Sequence, residues 1–423
     1  MMKRTLRSAL AASCLLTLAT SSFAEDWTRF RGPNGTGLSE AKDIPVSWGD
    51  KDYNWKTDFP GVGHSQPVVW GKRLFLTSAE KKGGVRHVLC FSTDDGSILW
   101  KKTYDNETHR KHKLNSFASS TPALNKDALY VMFGNPDAVT IHALDHSGKE
   151  LWKHSLGKFS SLHGHGASPI VYKDMILLGH HQGRNAEDSL KSYLVALDAK
   201  TGKVRWKTPQ KTRYVSYSTP CVYKPAGGPE QVIFNSAGNG IGGVDPKTGK
   251  VLWENDCFTM RSCSSPVIAG DVIMGTCGSG GGGNYLVAVT PAKGKVKEVY
   301  RLKKAIAYVP TPLIRNDLMF IFSDKIDVAS CYQASTGKMM WQKRVDAVFW
   351  GSPICVEDRI YIVSRDGTVL VIAASDEYKE LARIDLGAPS RSTPCISGGR
   401  MYIRTYDSAK ESGRLLSIGG KKR

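Results

Sequence analysis

Eight prolines recur along the chain at nearly regular intervals, each standing just before a short apolar run: Pro67, Pro122, Pro169, Pro220, Pro266, Pro312, Pro353 and Pro394. The residue before the proline usually carries a hydroxyl, as in Ser120-Thr121-Pro122, Ser218-Thr219-Pro220 and Ser392-Thr393-Pro394. Successive prolines lie roughly 41 to 55 residues apart, the period of a four-stranded propeller blade. A chain of this kind grows as one ring of similar sheets, so 423 residues need not divide into two or three domains.

The second half of the repeat is clearest at Ala196-Leu197-Asp198-Ala199-Lys200-Thr201-Gly202-Lys203-Val204-Arg205-Trp206, with relatives at 243–253, 142–152, 331–341 and 91–100, each ending in Trp. The pattern reads as strand, tight turn, strand. Asp and Thr hydrogen-bond inside the turn, Gly supplies a positive φ, and Trp packs between neighbouring blades. These residues are read as structural. The last repeat runs out of chain: after 401–405 and 415–418 only 419–423 remain. The segment Tyr53-Asn54-Trp55-Lys56-Thr57-Asp58-Phe59 looks like the missing Trp-bearing outer strand, and supplying it would remove two open sheet edges. The expected fold is therefore all-β: an eight-bladed β-propeller of four-stranded antiparallel blades over 53–423, closed by an N-terminal strand that completes the last blade.

Ahead of it, 1–24 reads as a signal peptide. It has a basic start at Lys3, Arg4 and Arg7, an apolar run, and a small-residue site at Ser22-Phe23-Ala24. Cys14 lacks the Leu usual before a lipidated cysteine. Export to the periplasm or beyond is expected, with 25–52 as an N-terminal strap. No later stretch is long and apolar enough to span a membrane. The net charge of +19 favours acidic partners, mildly, because it is spread along the chain. Nucleic acid is disfavoured, since export removes the usual partner.

The Ala-x-Asp-x-x-Thr-Gly-x-x-x-Trp unit, the proline starts and the opening Trp27-Thr28-Arg29-Phe30-Arg31-Gly32-Pro33 resemble the bacterial PQQ-binding-like β-propeller repeat proteins. The resemblance covers essentially the whole chain after the signal. That family holds quinoprotein dehydrogenases and non-enzymatic propellers such as the outer-membrane assembly factor BamB, so fold does not choose between them. The resemblance implies, for an enzyme, adjacent cysteines against the quinone and a Ca²⁺ site rich in carboxylates. No Cys-Cys pair occurs here, and the acidic residues are not clustered. No catalytic set and no cofactor are expected. PQQ with Ca²⁺, or a transition metal bound by histidines, belongs to a runner-up reading as an oxidoreductase.

Cys221, Cys355 and Cys395 follow the prolines and, with Cys90 and Cys331, read as small buried hydrophobes. A Cys257 to Cys263 bridge is conceivable in an oxidising compartment. The glycine-rich runs 238–243 and 278–283 match G-x-G-x-x-G but precede strand-like sequence, so they are read as hairpin turns. All eleven histidines fall between His64 and His181. His64, His109, His112, His163, His165, His180 and His181 sit in segments expected at one end of the channel, where converging imidazoles would bind Zn²⁺ or Cu²⁺ if they met. His64, His163 and His165 are expected nearest the axis. The same segments supply Tyr217, Arg261, Tyr308, Trp350 and Arg391, which suit an acidic or planar ligand or a protein partner of the cell envelope. These eight residues form the candidate channel-mouth site.

Overall fold

The structure, a computed structural model, describes residues 26–80, 84–183, 191–211, 214–292 and 295–420; the segment read as a signal, with Cys14, lies outside them. Each proline leads into an antiparallel sheet of four strands. In blade three these run from the channel outward as Ile170–Tyr172, Met175–His180, Ser192–Asp198 and Val204–Gln210. Eight such sheets form the ring. Middle strands touch a neighbouring blade on both faces, so their residues are almost all buried, whereas the outermost strands alternate. The core is accordingly a series of layers between blades. Tyr130, Met132 and Ile141 of blade two meet Val195 and Leu197 of blade three in one of them.

The repeat's Trp and Gly pair across blades. Trp152 Nε1 donates to Ala199 O of the next blade (3.0 Å), and its ring covers Gly202, where a Cβ would collide with the indole. Trp206 repeats this with Pro246 O (3.0 Å) and Gly249. Blade five uses Tyr300, whose hydroxyl donates to Ala334 O (2.6 Å) beside Gly337. Trp206 is 8% exposed, so Trp206→Ala is expected to cost about 3–5 kcal/mol, read as a lower denaturation midpoint. Val204→Ala on the same strand, 41% exposed, is expected to stay within about 0.5 kcal/mol.

The ring closes as the sequence implies. Trp55–Pro60 pairs antiparallel with Ser412–Gly419, from Trp55 opposite Ser417 to Pro60 opposite Ser412. Trp55 Nε1 donates to Thr93 O of blade one (3.1 Å).

The hydroxyl before each proline also has a structural reason. Its own backbone N–H faces the next blade, and that blade's hydroxyl accepts it. Thr121 N donates to Ser168 Oγ (2.9 Å), Ser265 N to Thr311 Oγ1 (3.0 Å), Thr311 N to Ser352 Oγ (3.0 Å) and Ser352 N to Thr393 Oγ1 (2.9 Å). Blade one substitutes Gln66, whose carboxamide accepts from Arg31 N (2.6 Å) and donates to Pro394 O (2.5 Å).

That contact belongs to the segment read as a strap, which in the structure crosses the channel. Trp27 pairs with Val69 of blade one, and Thr28 O accepts from Leu124 N of blade two. Arg29 Nη2 donates to Pro220 O (2.6 Å) at blade four, where Asn34 also exchanges two hydrogen bonds with the Val222 backbone. Leu38–Ser39 then adds a parallel fifth strand inside blade seven. Trp27 and Arg31 are fully buried by this passage.

Cys90, Cys221, Cys331, Cys355 and Cys395 are buried, as their positions imply. The conceivable Cys257 to Cys263 bridge is absent, and both thiols are free. Cys257 packs in the core with Phe258 and Tyr285, while Cys263 faces the channel mouth.

Candidate functional site

Connections between blades and loops joining second to third strands meet at one end of the channel. Isolated bridges tie the two sets together, Val62 to Ala79, Arg261 to Gly278 and Phe349 to Ser364, and so hold the connections over the mouth. They enclose a cavity of about 590 Å³. His64, His163, Tyr217, Arg261, Tyr308, Trp350 and Arg391 all line it. His165 does not; it turns away to pack edge-on against Phe159 at 5.5 Å. Phe30, from the segment crossing the channel, reaches the cavity, and pre-proline hydroxyls such as Thr121, Thr219 and Thr393 form its throat.

Sequence reasoning missed Lys113, Asp324, Lys325 and Arg365, which also line the cavity. Lys113 ends the basic run 109–113, a signal that was available. The other three lie in second-to-third loops, which carry no repeat mark.

The guanidinium carbons of Arg365 and Arg391 each lie 5.7 Å from the Trp350 ring centroid, and Arg391 also lies 5.6 Å from that of Tyr406. Arg391 Nη1 reaches Leu114 O (3.3 Å), and Arg261 Nη1 donates to the Tyr308 hydroxyl (3.0 Å). Burial raises the Tyr308 phenol well above its ordinary range and also raises the Asp324 carboxyl, which accepts the Tyr308 N–H (2.8 Å). Burial, then Arg391 and Arg404, push His64 down to about 3; burial, then Arg261, push His163 down to about 4. These imidazoles are neutral at pH 7, and the positive charge of the mouth comes from Arg and Lys. Arg261 Nε, Arg391 Nε, Trp350 Nε1 and His64 Nδ1 are buried nitrogens with no hydrogen-bond partner among the described residues.

The seven histidines do not converge. His112 and His163 stack at 5.3 Å in the cavity wall, but His109 packs on Phe117, His180 on Tyr193 and Phe159, and His181 is buried in blade three. Among the described residues, no group of three or more His, Cys, Asp or Glu is placed to hold a metal ion. Core packing claimed most of the imidazoles that the sequence suggested as ligands.

Comparison with known proteins extends this picture. The chain is 28% identical over 179 residues to a polyvinylalcohol dehydrogenase of Sphingopyxis sp. (strain 113P3), covering 40% of this chain and 25% of that one. It therefore spans only about a quarter of that relative's length. In structure it is similar to BamB from Moraxella catarrhalis, with TM-score 0.60, 14% identity, and 86% and 98% of the two chains covered. It is similar too to quinohemoprotein alcohol dehydrogenase from Comamonas testosteroni, with TM-score 0.66, 16% identity, and 94% and 81% covered. At those identities the likeness is one of fold. The family model described as outer membrane protein assembly factor BamB matches residues 46–187, 137–307 and 307–379, which together make up most of the chain, and the protein belongs to that family.

Proposed function

We propose that this protein is an exported, non-catalytic propeller that holds a partner at its channel mouth, either a protein of the cell envelope or an acidic ligand. The observation that carries this reading is the composition of the cavity. Arginine, lysine and aromatic side chains gather in it, which suits recognition, and among the described residues Asp324 is the single carboxylate that lines it. Membership of a family described by an assembly factor points the same way. Among the described residues no helix is long and apolar enough to cross a membrane.

A second reading, a quinone-dependent oxidoreductase, draws on the relatives named as dehydrogenases. Arg261, Arg365 and Arg391 with the Trp350 face fit the carboxylates and ring plane of PQQ. The same residues do not fit its Ca²⁺, which takes six to eight oxygens, several of them carboxylate.

Capture of exported proteins with the parent chain and with the Trp350→Ala, Arg391→Ala double variant tests the first reading. Truncating a central aromatic or Arg anchor typically costs about 2 kcal/mol or more of binding, so the partner is expected to be lost from the variant. An unchanged set of captured proteins would reject the mouth as the binding face. Turnover of an alcohol on adding PQQ and Ca²⁺ would put the second reading in its place.

A further inference from the structure

We infer that the mouth receives the acidic end of a polypeptide, a free terminal carboxylate preceded by Asp or Glu side chains. This rests on the mouth being the binding face.

Charge is the first ground. Among the described residues, Lys113, Arg261, Lys325, Arg365 and Arg391 line the cavity against the one carboxylate of Asp324. These cations come from separate connections and loops around the ring, so they suit several spaced anions better than one compact ion.

Hydrogen-bonding sense is the second. The guanidinium and ammonium groups of Lys113, Arg261, Lys325, Arg365 and Arg391 only donate. A carboxylate only accepts, so an acidic chain satisfies such groups without bringing donors that need acceptors of their own; a hydroxyl-rich sugar brings as many donors as acceptors.

Shape is the third. The segment from Trp27 to Ser39 crosses the channel and places Phe30 in the cavity, so an occupant enters and leaves by the same face. A blind site of about 590 Å³ takes a few residues of a chain end, with Tyr217, Tyr308 and Trp350 covering its apolar parts.

Fluorescence anisotropy tests this with a labelled peptide of alternating Asp and Glu ending in Phe with a free carboxylate. Its C-terminal amide, its Asn/Gln counterpart and citrate as competitor complete the set. The free acidic peptide is expected to bind, and the amide and the Asn/Gln peptide to bind about tenfold more weakly or worse, the effect of losing a charge-assisted hydrogen bond. Arg391→Ala and Arg261→Ala are each expected to weaken binding by a similar factor, while Lys203→Ala, in an exposed turn of blade three, leaves it unchanged. Arg391→Lys keeps the charge without the planar fork and is expected to fall between parent and Ala, which separates recognition from misfolding. Equal binding of the Asn/Gln peptide, or insensitivity to both arginine variants, would overturn the inference. Displacement by citrate at peptide-like affinity would also overturn it, by making this a small-polyacid site. Failure of the acidic peptide while an envelope protein is still captured at the mouth, and lost with Trp350→Ala, would overturn the chain-end identity and leave the binding face standing.

Discussion

A chain lacking Tyr53-Asn54-Trp55-Lys56-Thr57-Asp58-Phe59 is expected to lose its single cooperative unfolding transition and to aggregate. Those residues contain most of the strand that pairs with Ser412 to Ser417 of the last strand, Ser412–Gly419. Without them that strand becomes an open edge, bare N–H and C=O groups exposed to other chains. The joint between blades eight and one goes with them, because Trp55 docks on Thr93 O and Phe59 packs edge-on against Phe91 at 5.7 Å. The pair of Asp58 with Arg414 is also lost, a minor term on an exposed surface. Thermal melting with size-exclusion chromatography checks the outcome, and a deletion variant that melts like its parent would remove the closure scheme. With Trp27 and Arg31 buried in the channel and four blades contacted, removal of 26–39 from the preceding strap is also expected to destabilise the ring substantially and to open the mouth cavity from below.

What the sequence disclosed follows from periodicity. The proline starts, the Asp-Thr-Gly turns and Trp206 or Trp152 recur because every blade solves the same packing problem, and Trp55 was recognisable as the displaced copy of that Trp. Blades five and seven were harder to see, since Tyr300 and Ala382 stand where the others carry Trp. Features outside the repeat were not legible. Asp26 to Ser39 has no copy elsewhere, and its partners Val69, Leu124, Val222 and Cys355 are brought to it only by ring closure. The mouth was half visible. Residues just before the prolines have positions fixed by the blade, and Tyr217, Arg261, Tyr308, Trp350 and Arg391 all line the cavity. His165 failed because its segment is irregular, and no alternation rule says which way an irregular residue faces; Phe159 and the space beside Gly134 took the ring. Asp324 and Arg365 lie in loops whose lengths differ from blade to blade.

Acid is expected to unfold this protein from about pH 6 downward, well before carboxylate protonation would suffice, because several imidazoles are held neutral. Burial pushes His165 and His181 down to about 3 and His180 down to about 4, from an ordinary 6.5. His64, at about 3, and His163, at about 4, feel the mouth arginines as well. Above 6.5 all five are neutral in both states and contribute nothing to the pH dependence. Below it the unfolded chain takes up protons that the folded chain refuses until about pH 3 to 4, so stability falls as pH falls through that window. His180 and His181 are only 3% and 4% exposed, and His181 Nε2 has no partner that could share a proton. Near pH 4.5 each of these two is expected to cost about 2 to 3 kcal/mol, a large part of the roughly 5–15 kcal/mol that stabilises a typical domain. The three partly exposed histidines add less. Denaturant titrations at pH 7.5, 6, 5 and 4.5 measure the slope, which should correspond to uptake of about two or more protons on unfolding. His181→Gln should flatten the acid limb and lower stability at pH 7.5 by the cost of a repacked core residue. A midpoint that does not move between pH 7 and 4.5 would mean that these imidazoles reach water or a proton acceptor in the folded ring, and the packing assigned to His180 and His181 would then be wrong.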